Sequence, residues 1–171
     1  MAWAPMSDRQ APLRLHQARV LPQWVDYNGH MNEAYYVLVF GDATDAFYDH
    51  VGFDAAFRET HHVSAYTLES HISYLIETRE GESLAVATQI LGYDRKRVRL
   101  HHSMFRGDTE IVAVIELLAL HVDKAALKAA PFHPAPMARI AAIGDAHAVL
   151  PPPRPAMSGH WLSKQRKDVL F

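Results

Sequence analysis

Cysteine is absent from all 171 residues, which excludes disulfide bridges and a cysteine nucleophile. No Gly-x-Ser-x-Gly is present, so the exposed serine of an α/β-hydrolase elbow is missing too. No His-Glu-x-x-His occurs. The 12 histidines include two adjacent pairs, His61-His62 and His101-His102. Neighbours in a strand point to opposite faces, so such pairs cannot chelate one ion together. No metal site is expected. There is no long basic run, and the formal net charge is −2, which argues against nucleic acid as a partner. No apolar stretch is long enough to span a bilayer, and the start shows no secretory pattern. No membrane partner is expected, and the cytoplasm is the expected location.

What is present reads as globular: 49% hydrophobic residues and 21% charged. The length suits one domain with a real core. We place that domain at 14–150. A loose lead-in, 1–13, precedes it, and a Pro-rich linker and tail, 151–171, follow it. The tail is either disordered or docked on a neighbour.

Residues 14–25 look extended, with Pro22 marking an edge or a bulge. From Asn32 to Val51 the pattern predicts a helix. Asn32 suits the N-cap, Glu33 the positive end of the dipole, and Gly52 the stop. Asp42, Asp45 and Asp49 form its one polar stripe, so burial over most of the circumference is expected. Residues 53–62 look like a loop with a short helical turn. Residues 66–76 alternate with period two, and the even face (Tyr66, Leu68, Ser70, Ile72, Tyr74, Ile76) is the expected buried one. Extended runs continue at 83–92, 96–106 and 110–122, with turns at 80–82, 92–94 and 106–108. The last run is apolar on both faces, as a central strand should be. A further helix is expected at about 136–148. The fold class is therefore α+β: a sheet of long antiparallel strands curled around one helix.

The chemistry concentrates in Trp24-Val25-Asp26-Tyr27-Asn28-Gly29-His30-Met31-Asn32-Glu33-Ala34-Tyr35-Tyr36. A carboxylate ends an extended segment, a glycine follows, and a helix begins. An acid facing a helix start has the parts for ester or thioester hydrolysis. Free N–H groups at that start can hold an oxyanion. The same residues also make good turn chemistry, so Asp26 reads equally as a turn residue.

Asp-x-x-Gly-His-Met-Asn with paired tyrosines and a long helix resembles the signature of the hot-dog-fold acyl-CoA thioesterases, the 4-hydroxybenzoyl-CoA thioesterase-like group. The likeness continues through 66–75, 94–97 and 116–123. Its details most resemble the betainyl-CoA thioesterases of carnitine breakdown. The resemblance implies a hot-dog fold with a long central helix wrapped by a curved sheet. It implies hydrolysis of an acyl-CoA to a carboxylate and free CoA, with no metal or redox cofactor. Asp26 matches the catalytic aspartate, as general base or as nucleophile. Gly29 allows the tight turn and close approach of a thioester. Backbone N–H groups of about Asn32 and Glu33 lie at the helix start, and the resemblance implies that an N–H near Glu33 polarises the carbonyl; such donors are commonly worth ~3 kcal/mol of barrier each.

Asn28 and His30 would position water or the acyl group, or serve the turn and the helix entry. Glu69 is the candidate second acid, with His71 on the same face. Lys96 and Arg97 lie in the densest basic cluster and would meet the phosphates of CoA, bound across a dimer interface. Trp24, Tyr27, Tyr35 and Tyr36 would form an aromatic cage for a trimethylammonium group, or would be core. A homodimer or dimer of dimers is expected, because the sheet leaves an exposed edge. Other readings stay open: a fatty or aromatic acyl-CoA thioesterase, a hot-dog dehydratase using His30 with an acid, or a non-catalytic acyl-CoA-binding domain.

Overall fold

The computed structural model describes residues 11–156. In chain order these form β1 (Leu13–Arg19), a 3₁₀ turn (Pro22–Trp24), α1 (Glu33–His50) and α2 (Ala55–His61). Then come β2 (Val63–Tyr74), β3 (Ser83–Tyr93), β4 (Arg97–Arg106), β5 (Glu110–Asp123), β6 (Lys128–Ala129) and α3 (Pro134–His147). Five strands make one antiparallel sheet in the order β1-β3-β4-β5-β2, and β6 adds to β5. The sheet packs its inner face on α1, giving the α+β hot-dog architecture. The lead-in residues 1–10 and the tail 157–171 lie outside the described residues.

α1 begins as its sequence dictates. Asn32 caps it by accepting the Ala34 N–H at 3.0 Å, and Glu33 opens the first turn. Val39, Phe40, Ala43, Phe47 and Tyr48 recur at three- and four-residue spacing and are buried against the sheet. Two apolar clusters result, one under each half of the helix. His102 is the polar exception between them. The Thr44 hydroxyl donates to the Phe40 carbonyl, so it accepts from His102 Nε2–H at 3.0 Å. His102 Nδ1 then accepts from the Thr88 hydroxyl at 2.9 Å. Burial, with His101 beside it, pushes the His102 imidazole down to about 3.

On the outer face, the segment 151–156 crosses the sheet near β4 and β2. His101 Nε2–H donates to the Arg154 carbonyl at 2.7 Å, and the Ser73 hydroxyl donates to the Ala156 carbonyl. His101 and His102 point to opposite faces, as adjacent strand positions require. His61 and His62 do not follow that reasoning. They close α2, with His62 in the left-handed conformation.

Four further expectations need correction. The extended run ends at Arg19, and Pro22 opens a 3₁₀ turn, a first-turn position where its missing N–H costs nothing. The bulge of β1 lies earlier, between Arg14 and His16. Gly92 sits beyond a bulge within β3, and the turn itself is closed by Asp94 N–H on the Arg97 carbonyl. α1 is buried on one side only, since Val37 and Leu38 are 49% and 45% exposed. The even face of β2 is not buried either, with Tyr66 at 49% and Leu68 at 50%. Among the described residues β2 is an edge strand paired with β5 alone, and a bulge between Thr67 and Glu69 reverses its alternation.

Candidate active site

The loop between the 3₁₀ turn and α1 is a small hairpin. Val25 and Met31 form an antiparallel bridge, and Asp26 N–H donates to the His30 carbonyl at 3.0 Å. The Gly29 N–H returns to the Asp26 carbonyl at 3.0 Å, closing a tight turn. Gly29 has φ +78, so the three-residue loop ends in the left-handed residue it needs. A Cβ placed there would meet nothing within 4 Å, so its demand for glycine comes from conformation, and the space above it is open. The Asn28 N–H donates to Asp26 Oδ1 at 2.8 Å. Asp26 thus serves the turn with one oxygen, and Oδ2 receives no hydrogen bond from the described residues. The turn reading and the catalytic reading use different atoms of one carboxylate.

The helix start leaves the Glu33 N–H open among the described residues. Asn32 N–H goes to the Trp24 carbonyl at 2.9 Å, Ala34 N–H to Asn32 Oδ1, and Tyr35 N–H to the Asn32 carbonyl at 3.0 Å. Among the described residues nothing accepts from the Glu33 N–H. Of the Asn32 and Glu33 N–H groups, that of Asn32 is taken by Trp24 and that of Glu33, the expected donor, is open among the described residues.

A second segment, 75–78, completes the site. Met31 N–H donates to the Thr78 carbonyl at 2.8 Å. The Tyr36 hydroxyl accepts from the Thr78 N–H at 3.1 Å and lies 3.0 Å from Thr78 Oγ1. His30 Nε2 sits 2.9 Å from Glu77 Oε2. Tyr74 donates to the Glu33 carbonyl at 3.5 Å and packs edge-on against Tyr36. Burial, helped by the Glu33 charge, raises the Tyr74 phenol above its usual range. Tyr74, Glu77 and Thr78 escaped the sequence reading. The Tyr36–Thr78 contact joins residues 42 positions apart, and no short-range pattern announces it.

The aromatic residues divide. Trp24 and Tyr35 stack face to face at 5.4 Å, half-buried. Tyr36 is buried, with its hydroxyl committed to Thr78. Tyr27 is 96% exposed at the turn tip. These four do not form a closed cage within one chain. Glu69 lies on the outer face of β2, where its carboxylate holds His71 Nε2 at 2.6 Å. It does not meet Asp26 in one chain.

Lys96 and Arg97 stand in the β3–β4 turn, where Asp94 accepts from both backbone N–H groups and pairs with the Arg97 guanidinium. Burial pushes the Asp94 carboxyl up, but the Arg97 side chain and these N–H groups outweigh it and leave it lowered. That turn is at the opposite end of the 18-residue α1 from Asp26, roughly 27 Å away along the helix axis. Among the described residues no three histidine or acidic side chains converge on a metal-sized site. No helix there is long and apolar enough to cross a membrane.

Comparison with known proteins places this geometry in context. The model of the thioesterase-like superfamily matches residues 20–140. A betainyl-CoA thioesterase of Pseudomonas aeruginosa is 43% identical over 142 residues, covering 82% of this chain and 89% of that one. An L-carnitine dehydrogenase/betainyl-CoA thioesterase of Agrobacterium fabrum is 52% identical over 126 residues, covering 74% of this chain and 26% of that longer protein. Among solved structures, a putative thioesterase of Pseudomonas putida KT2440 superposes with a TM-score of 0.72 at 39% identity, over 84% of this chain and 92% of that one. A Staphylococcus aureus protein solved in complex with CoA superposes with a TM-score of 0.78 at 24% identity, over the same shares, and supports the fold.

Proposed function

The chain belongs to the thioesterase-like superfamily, and from that premise we propose that it is an acyl-CoA thioesterase acting on betainyl-CoA in the cytoplasm. The observation that carries the mechanism is that Asp26 Oδ2 and the Glu33 N–H, on either side of one glycine turn, both lack a hydrogen-bond partner among the described residues. Asp26 takes a proton as water attacks the thioester carbon. The Glu33 N–H holds the carbonyl oxygen as its charge grows. The C–S bond then breaks, sulfur leaves with its electron pair, and the proton on Asp26 passes to it. The products are a carboxylate and free CoA.

The substrate choice is supported by the two betainyl-CoA thioesterase relatives, at 43% and 52% identity. The aromatic residues around the turn suit a trimethylammonium group.

The active unit is a homodimer formed through β2. Its edge is unpaired among the described residues, and Tyr66 and Leu68 leave apolar surface on it. Two β2 edges joined antiparallel set the far end of one subunit beside the turn of the other. The partner's Lys96 and Arg97 then come toward this subunit's Asp26, ready for the phosphates of CoA.

The test is thiol release from a panel of acyl-CoAs, betainyl-CoA included, by wild type and Asp26→Asn. Release from betainyl-CoA that falls at least about 100-fold in the variant supports the reading. Release only from fatty or aromatic thioesters discards the betaine assignment and keeps the mechanism. Enoyl-CoA hydration without thiol release would replace it with a dehydratase.

A further inference from the structure

We propose that Glu77 is a positioning residue, holding the His30 imidazole so that His30 Nδ1 and Asp26 Oδ2 together seat the attacking water; this rests on the hydrolytic reading above. The register of the small hairpin carries the first step. Val25 is bridged to Met31, so Asp26 stands directly opposite His30. Opposed residues of an antiparallel pair project their side chains to the same side, with Cβ atoms about 5 Å apart.

The two side chains are engaged in complementary ways. Asp26 Oδ1 is held by the Asn28 N–H, and Oδ2 is free among the described residues. His30 Nε2 is held 2.9 Å from Glu77 Oε2, and Nδ1 is likewise free. A bare nitrogen lone pair at that distance from a carboxylate oxygen would be repelled, so Nε2 carries the proton and Nδ1 is the acceptor. A water molecule has two protons to give. With one directed to Asp26 Oδ2 and the other to His30 Nδ1, its lone pair is left facing the thioester carbon. On attack the C–O bond forms and the first proton moves to Asp26. His30 only orients the second.

Glu77 can do this because its backbone is tied on both sides. Ile76 N–H is bonded to the Val112 carbonyl, the Arg106 guanidinium donates to the Glu77 carbonyl, and Thr78 is tied at its N–H to Tyr36 and at its carbonyl to Met31. The carboxylate itself is 67% exposed, so replacing it leaves the core untouched. The fold thus sets several hydrogen bonds around a solvent-facing acid beside His30. None of those bonds needs an acid at that position.

The test compares wild type with Glu77→Ala, Glu77→Gln and Glu77→Asp. At alkaline pH, ¹⁵N NMR of the His30 ring reads which nitrogen carries the proton. Wild type holds it on Nε2, Glu77→Ala loses that preference, Glu77→Gln keeps part of it through its amide oxygen, and Glu77→Asp retains it. Kinetically, Ala lowers kcat about 10–100-fold with KM within about threefold, as expected when an outer partner of a working imidazole is removed. Asp recovers much of kcat. An active wild type whose His30 tautomer ignores Glu77, or whose kcat survives Glu77→Ala, overturns the positioning role alone. A wild type that hydrolyses no acyl-CoA while the His30 tautomer still follows Glu77 overturns the hydrolytic reading alone.

Discussion

Glu33→Pro removes a single hydrogen atom's worth of function from the site. Glu33 is the first residue of α1, and proline is well tolerated there because that N–H has no helical acceptor. The residue before it meets the remaining requirement. Asn32 has φ −63 and ψ 145, the extended conformation that a following proline imposes. Nothing among the described residues accepts from the Glu33 N–H, so the fold loses no hydrogen bond. The carboxylate is lost as well, which weakens the helix start by about 0.3–1 kcal/mol. Glu33→Ala makes that same loss but keeps the donor, and the ratio of Pro to Ala isolates the N–H.

Removing one oxyanion donor costs about 2.7–4 kcal/mol of barrier, or roughly 100- to 1000-fold in kcat. The assay is thiol release at saturating acyl-CoA, with thermal unfolding of each variant recorded beside it. We expect Glu33→Pro to fall by that factor below Glu33→Ala while the two unfold within a few degrees of each other. Equal kcat in two folded variants would refute the assignment of the Glu33 N–H to the oxyanion.

Two other predictions concern the fold and its assembly. His102 titrates near 3 when folded and near 6.5 when unfolded, so the unfolded chain takes up its proton first as pH falls. Stability is therefore complete above about pH 6.5 and declines toward pH 3, by roughly 2 kcal/mol at pH 5. Urea unfolding at pH 7.5 and 5 checks this, and an equal loss in wild type and His102→Gln would exclude His102 as the cause. At the β2 edge, Leu68→Lys places a charge on the apolar surface that the dimer would bury. Light scattering at micromolar concentration should show wild type as a dimer and the variant shifted toward monomer, and a wild-type monomer would remove the shared site.

Much of the fold was legible because it rests on local rules. The cap at Asn32, the stop at Gly52 and the extended runs of β3, β4 and β5 are each written in a few adjacent residues. The turn from Asp26 to Gly29 was legible for the same reason, since every bond that closes it lies within the motif. The failures share a different cause. A bulge beside Leu68 reversed the alternation of β2, and a strand's alternation cannot reveal that it lies at an edge. Glu77 and Thr78 follow β2 in a segment without periodicity, and their use depends on where the sheet sets them against α1.

The residues still unplaced make a single geometric argument. Lys96 and Arg97 lie at one end of α1 and Asp26 at the other, separated by the full helix. No rearrangement within one chain closes that gap, because the two core clusters between them are packed against the sheet. A two-fold axis through the β2 edge would close it without any rearrangement, since antiparallel pairing sets opposite ends side by side. The exposed faces of Val37 and Leu38 lie on the side of α1 that one sheet leaves uncovered. The strand edge, unpaired among the described residues, is what such an axis would cover. The narrow polar stripe of α1, which failed as a statement about the single chain, describes the helix as it would stand in the dimer.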